Sequence, residues 1–177
     1  MKVMNFEPTP NPNAMKFNVD GKLIEGGSRS YDTPAAADGD PLATALFALG
    51  KVQTVFYMPG FVTVSKLEGA EWSALAPAIA RTIETTAVTP VSSDASAGIG
   101  GEGGLMDKIN RVLDAQIRPA LAGDGGGLEV VALEGLNLQI RYQGACGSCP
   151  SSIAGTLAAI QNLLQAEVDE GLVVTAG

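Results

Sequence analysis

Gly144-Ala145-Cys146-Gly147-Ser148-Cys149-Pro150-Ser151-Ser152 decides how this chain is read. It holds both cysteines of the 177-residue sequence, three positions apart. Two thiols at that spacing bring soft ligands into one small volume. There they bind a single metal centre or close on each other as a redox disulfide. The flanks differ in period. Upstream, Leu136, Leu138, Ile140 and Tyr142 alternate, as one face of a half-buried strand does. Downstream, Ile153, Leu157, Ile160 and Leu164 trace one face of a helix running from Pro150 to Gln165. Pro150 suits the first helical position, because its missing N–H would be unpaired there anyway. Cys149 is thus expected at or near a helix N-cap, with Cys146 in the loop before it. The positive end of the helix dipole would favour both thiolates. A cap beside Gly-Ser is an exposed setting, so both cysteines are expected at the surface.

Working outward, Leu128–Leu133 reads as a second strand, joined to Leu136–Tyr142 by a Glu134-Gly135 turn. Asp124-Gly125-Gly126-Gly127 is a turn in which positive φ costs little. It lacks the Lys and Ser/Thr that a phosphate loop needs. Before it, Ile109, Val112, Leu113 and Ile117 give a helix expected to end or kink at Pro119. Leu172–Thr175 is a candidate last strand. The order helix, strand, strand, helix, strand makes residues 105–177 a small α+β sandwich with the cysteines at a strand-to-helix junction.

Residues 88–104 read as a flexible Gly/Ser-rich linker with no periodicity. Gly98, Gly100 and Gly103 form a literal G-x-G-x-x-G there. With no strand before it and no βαβ unit around it, it is no dinucleotide fingerprint. Residues 1–87 read as a first domain. Lys2–Phe6 and Ala14–Val19 are strands around the Pro- and Asn-rich loop Glu7–Asn13, and Asp20-Gly21 closes the second of them. Asp40-Pro41 starts a helix as cap and first residue, with Leu42, Ala45, Leu46 and Leu49 as its stripe and Gly50 past its end. Val52–Met58 and Phe61–Lys66 form a hairpin around Pro59-Gly60. Trp72, Leu75, Ile79 and Ile83 mark another helix, which tolerates Pro77 only near its first turn. The whole is α+β: two small α/β sandwiches on a flexible linker.

Composition narrows the function. The net charge is −8, and no cluster of Lys and Arg stands out, so nucleic acid is not expected as a partner. No apolar run approaches the length of a membrane helix, so no membrane partner is expected either. Without histidine, Ser-His-Asp and Cys-His catalysis and His-ligated zinc are excluded. The N-terminus resembles neither a signal nor a transit peptide. The expected setting is a bacterial-type cytoplasm, or an organelle if a leader has been removed.

Four readings of Cys146 and Cys149 remain: small buried hydrophobes or a passive disulfide, a thiol–disulfide oxidoreductase, a zinc site, and an iron–sulfur site. The oxidoreductase reading has the spacing and the helix N-terminus, but the motif follows a hairpin and has Gly147-Ser148 between the thiols. Zinc and iron–sulfur sites each want four ligands, and this chain offers two thiols. Two copies about a two-fold axis would supply four. Local reasoning leaves zinc and iron–sulfur open.

Ile117-Arg118-Pro119, Asp124-Gly125-Gly126 and the cysteine stretch resemble the C-terminal domain of the NifU/Nfu family. Thr9-Pro10-Asn11-Pro12-Asn13-Ala14-Met15-Lys16-Phe17, Pro41-Leu42-Ala43, and Val55-Phe56-Tyr57 through Phe61-Val62-Thr63-Val64 resemble its N-terminal domain. The resemblance implies a role in iron–sulfur cluster assembly rather than catalysis. The implied cofactor is a [4Fe–4S] cluster, or a [2Fe–2S] one, held by Cys146 and Cys149. The implied partners are an upstream scaffold, apo iron–sulfur proteins as recipients, and a second copy of the chain when the cluster is bound.

Overall fold

The computed structural model describes residues 1–88, 104–147 and 150–177. The chain divides into two compact units, Met1–Ala95 and Ser96–Gly177. The expected linker falls almost wholly on residues 89–103, which lie outside the described residues. So does the G-x-G-x-x-G at Gly98, Gly100 and Gly103.

The first unit is a five-stranded antiparallel sheet under two helices. Its strands are β1 (Val3–Pro8), β2 (Ala14–Val19), β3 (Arg29–Tyr31), β4 (Val52–Met58) and β5 (Phe61–Lys66). They lie in the order β1-β2-β5-β4-β3. The helices are α1 (Pro41–Phe47) and α2 (Trp72–Thr85). Phe17, Val55, Tyr57, Val62 and Val64 from the strands meet Leu42 and Leu46 of α1 and Leu75, Ile79 and Ile83 of α2 in one core. Each such side chain contributes about 1.5–3 kcal/mol by leaving water. The Pro/Asn loop has a definite shape: Thr9 Oγ1 donates to Asn11 O (2.9 Å), and the Asn13 N–H donates to Asn11 Oδ1 (2.9 Å).

Several expectations change here. Strand β1 reaches Pro8, two residues into the expected loop. Strand β3 has no counterpart in the sequence reading. It is three residues long and exists because Arg29, Ser30 and Tyr31 pair with Tyr57, Phe56 and Val55. Ala45 and Leu49 of the expected α1 stripe are only half-buried, while Ala43 and Phe47 are buried. Pro77 sits in the second turn of α2, where its missing N–H removes the bond to the Ser73 carbonyl.

The second unit begins with α3 (Leu105–Val112), a π turn (Leu113–Ile117) and α4 (Arg118–Gly123). The helical path does not end at Pro119 but widens by one π turn before it and continues. A wide turn lets the chain pass a residue that cannot donate its backbone bond. The hairpin β6 (Gly126–Glu134) and β7 (Asn137–Gly144) follows, then α5 (Pro150–Glu167) and β8 (Val173–Ala176). The sheet order is β6-β7-β8, with β6 antiparallel and β8 parallel to β7. Leu136 is not on the core face. It lies in the turn before β7 and is 40% exposed. Leu138, Ile140 and Tyr142 do face the core, against Ile109, Leu113, Ile160 and Leu164. Among the described residues, no helix is long and apolar enough to cross a membrane.

Candidate functional site

Cys146 lies in the turn that carries the chain from β7 toward α5. Two backbone bonds shape that turn: Ala145 N–H donates to Gly125 O (3.3 Å), and Gly147 N–H donates to Gly144 O (3.2 Å). Gly144 closes β7 at φ +65°, a conformation that L side chains rarely adopt. Helix α5 starts at Pro150, as its fixed φ and absent N–H favour. Cys149, the second expected ligand, lies outside the described residues, as does Ser148.

Cys146 departs from expectation in one respect. It is 9% exposed and belongs to the hydrophobic core of the second unit. The physical reason sits across the hairpin. Gly126 opens β6 and pairs with Gly144. A Cβ on Gly126 would stand 2.5 Å from Cys146 Sγ and 3.0 Å from both Cys146 N and Gln143 O. The sulfur therefore occupies the volume that a side chain at position 126 would fill. Gly147 is similarly confined, since a Cβ there would come 3.0 Å from Tyr142 O.

Tyr142 belongs to the same cluster. It is 8% exposed, and among the described residues its hydroxyl has no hydrogen-bond partner. Burial, and then the negative charge of the Cys146 thiolate, push its phenol up to about 12. Sequence reasoning placed Tyr142 on the core face but gave its hydroxyl no role. It gave Gly126 no steric role, reading it as part of a permissive turn. The signal for Gly126 is a contact twenty residues away in sequence, which no local pattern carries.

Among the described residues, no group of three or more Cys, Asp or Glu gathers to hold a metal ion. What the turn offers is one sulfur in a glycine-lined recess, a nearby hydroxyl with an unused proton, and a second cysteine three positions on in the sequence. A soft sulfur ligand of this kind suits a thiophilic metal centre completed by ligands from elsewhere.

Two family descriptions match the chain: "Scaffold protein Nfu/NifU N terminal" over residues 4–89 and "NifU-like domain" over residues 109–175. The human protein named NFU1 iron-sulfur cluster scaffold homolog, mitochondrial, is 37% identical over 171 residues, covering 93% of this chain and 67% of that protein. The protein of the same name in Drosophila erecta is 36% identical over 173 residues, covering 93% and 61%. The chain thus spans about three-fifths to two-thirds of the length of these curated relatives. A crystal structure of a Staphylococcus aureus protein is similar over 47% of this chain and 99% of its own, at 24% identity and a TM-score of 0.42. A solution structure of a NifU-like protein from Saccharomyces cerevisiae covers 47% of this chain and 77% of its own, at 22% identity and a TM-score of 0.40.

Proposed function

Since the chain belongs to the NifU/Nfu family of iron–sulfur cluster scaffold proteins, we propose that it carries a cluster rather than catalysing a reaction. The cargo is an iron–sulfur cluster, [4Fe–4S] in the first instance, bound by Cys146 and Cys149 of two copies of the chain. An upstream scaffold supplies it, and apo-proteins receive it. The observation that carries this reading is Cys146 itself, set in a glycine-lined recess at the β7–α5 junction of a NifU-like domain.

The chemistry follows from ligand count. Two thiols per chain make half a site, and an isologous dimer makes a whole one. A cluster shared in this way has no tether when the dimer parts, because neither chain alone holds four thiolates. Weak retention suits a donor. The setting is a thiol-reducing compartment, a bacterial-type cytoplasm or an organelle, in which cysteines stay available.

The test is anaerobic reconstitution with ferrous iron and sulfide, reading mass and iron content together across protein concentrations. The expected product is a dimer with visible sulfur-to-iron absorbance and about four irons per two chains. Dilution should lower dimer and cluster in parallel, and an apo-enzyme should gain activity from the loaded form. A protein that stays monomeric and iron-free while its thiols cycle against a disulfide reductant would overturn the reading in favour of a dithiol oxidoreductase.

A further inference from the structure

The Tyr142 hydroxyl is anomalous. It is buried in the core beside the cysteine turn, and among the described residues nothing accepts its proton. Leaving a buried hydroxyl unpaired costs about 1–3 kcal/mol relative to satisfying it. A phenylalanine would fill the same core position against Leu128 without that cost. The direction of its neighbourhood is informative. Tyr142 and Cys146 pack in the same core cluster, and the charge of Cys146 acts on the phenol and disfavours the phenolate. A neutral O–H beside an anionic sulfur is a donor beside an acceptor. In the structure the two are not hydrogen-bonded, so the donor is in reserve.

We propose that Tyr142 is a positioning residue for the cargo: its hydroxyl donates a hydrogen bond to anionic sulfur at the Cys146 turn when a cluster is bound. The proposal rests on the cluster-carrier reading above. It predicts two effects that a packing role would not produce. A donor to sulfur delocalises the negative charge and strengthens retention, since a hydrogen bond to a charged acceptor is worth more than one between neutral groups. It also makes the cluster easier to reduce, because hydrogen bonds to the sulfurs are among the factors that set the potential.

The experiment compares the full-length wild-type chain with Tyr142→Phe. The cluster-free proteins are unfolded in urea. The reconstituted proteins are followed by visible absorbance after dilution into a ferrous chelator, and their reduction potentials are measured. The expected result is a cluster-free variant as stable as wild type or more so. Once loaded, it should lose its cluster about 10-fold faster, and its potential should be more negative. Equal loss rates together with equal potentials would overturn the proposal and leave the carrier reading untouched. A cluster-free variant clearly less stable than wild type would also overturn it, since the hydroxyl would then already have a partner. A wild-type chain that folds but takes up no cluster would bring down the carrier reading and this proposal together.

Discussion

Gly126 and Cys146 compete for one volume, and much of the site follows from that. Gly126→Ala places a methyl group 2.5 Å from Sγ and 3.0 Å from two backbone atoms. Two of the three neighbours are backbone and cannot rotate away. The expected cost is about 1–3 kcal/mol in the second unit, typical of overpacking, with reduced iron uptake. Urea unfolding and iron content after reconstitution check it. Cys146→Ser and Cys149→Ser should each abolish cluster binding and leave the circular dichroism unchanged; a variant that kept a full cluster would remove that cysteine from the ligand set. Tyr142 gives a pH prediction. Its proton is held more tightly in the folded state, so the folded chain binds more protons than the unfolded chain between the ordinary tyrosine range near pH 10 and about pH 12. The stability due to that difference is complete below about pH 10 and falls as pH rises through the folded value. Tyr142→Phe should flatten this alkaline loss in a melting-temperature series. The cysteine pair was legible in the sequence because spacing alone announces it. The burial of Cys146 was not, because it depends on the register that sets Gly126 opposite Gly144.

At the scale of elements, α1 shows how one side chain can join three of them. Asp40 caps the helix, accepting from Leu42 N (3.1 Å) and Ala43 N (3.0 Å) through Oδ1. Through Oδ2 it accepts from Tyr31 on β3 (2.9 Å) and from Tyr57 on β4, with Arg29 Nη1 3.7 Å away. Burial first, then the hydrogen bond to Asp40, hold the Tyr57 phenol protonated far above the usual tyrosine range. Asp40→Ala should cost the first unit about 2–4 kcal/mol: the lost cap together with a buried phenol left unpaired. Chemical denaturation measures this, and a loss no larger than an ordinary cap would show that Tyr57 finds another acceptor. The cap was readable from Asp40-Pro41, whereas the tyrosines that share it come from distant strands. The same distinction runs through the other elements. Strands and helices with their own periodicity, such as β7 and α5, were legible. Strand β3 was not, because three residues between glycines and Pro34 carry no period and borrow their conformation from β4. The sequence left ending and kinking at Pro119 both open, because a proline announces a lost bond and does not say whether a π turn will absorb it.

For the whole molecule, the division into Met1–Ala95 and Ser96–Gly177 predicts two unfolding transitions by calorimetry. Asp40→Ala should lower one of them and Gly126→Ala the other, each leaving its counterpart in place. A single transition moved by both substitutions would mean that the units fold as one. Cluster loading should raise only the transition of the second unit, by mass action on the state that binds.

The parallel pairing of β8 with β7 has a consequence for biosynthesis. The β6–β7 hairpin is local and can close as soon as it clears the ribosome. Its third strand, Val173–Ala176, must wait until α5 has been made, since parallel neighbours need a crossover between them. Cys146 therefore emerges into the cell ahead of the strand that completes its sheet. During that interval the nascent chain presents the thiol without its finished core, open to oxidants and to stray metal alike. The reducing power of the surroundings at the moment of translation then bears on how much of the protein reaches the folded state with its sulfur unspent.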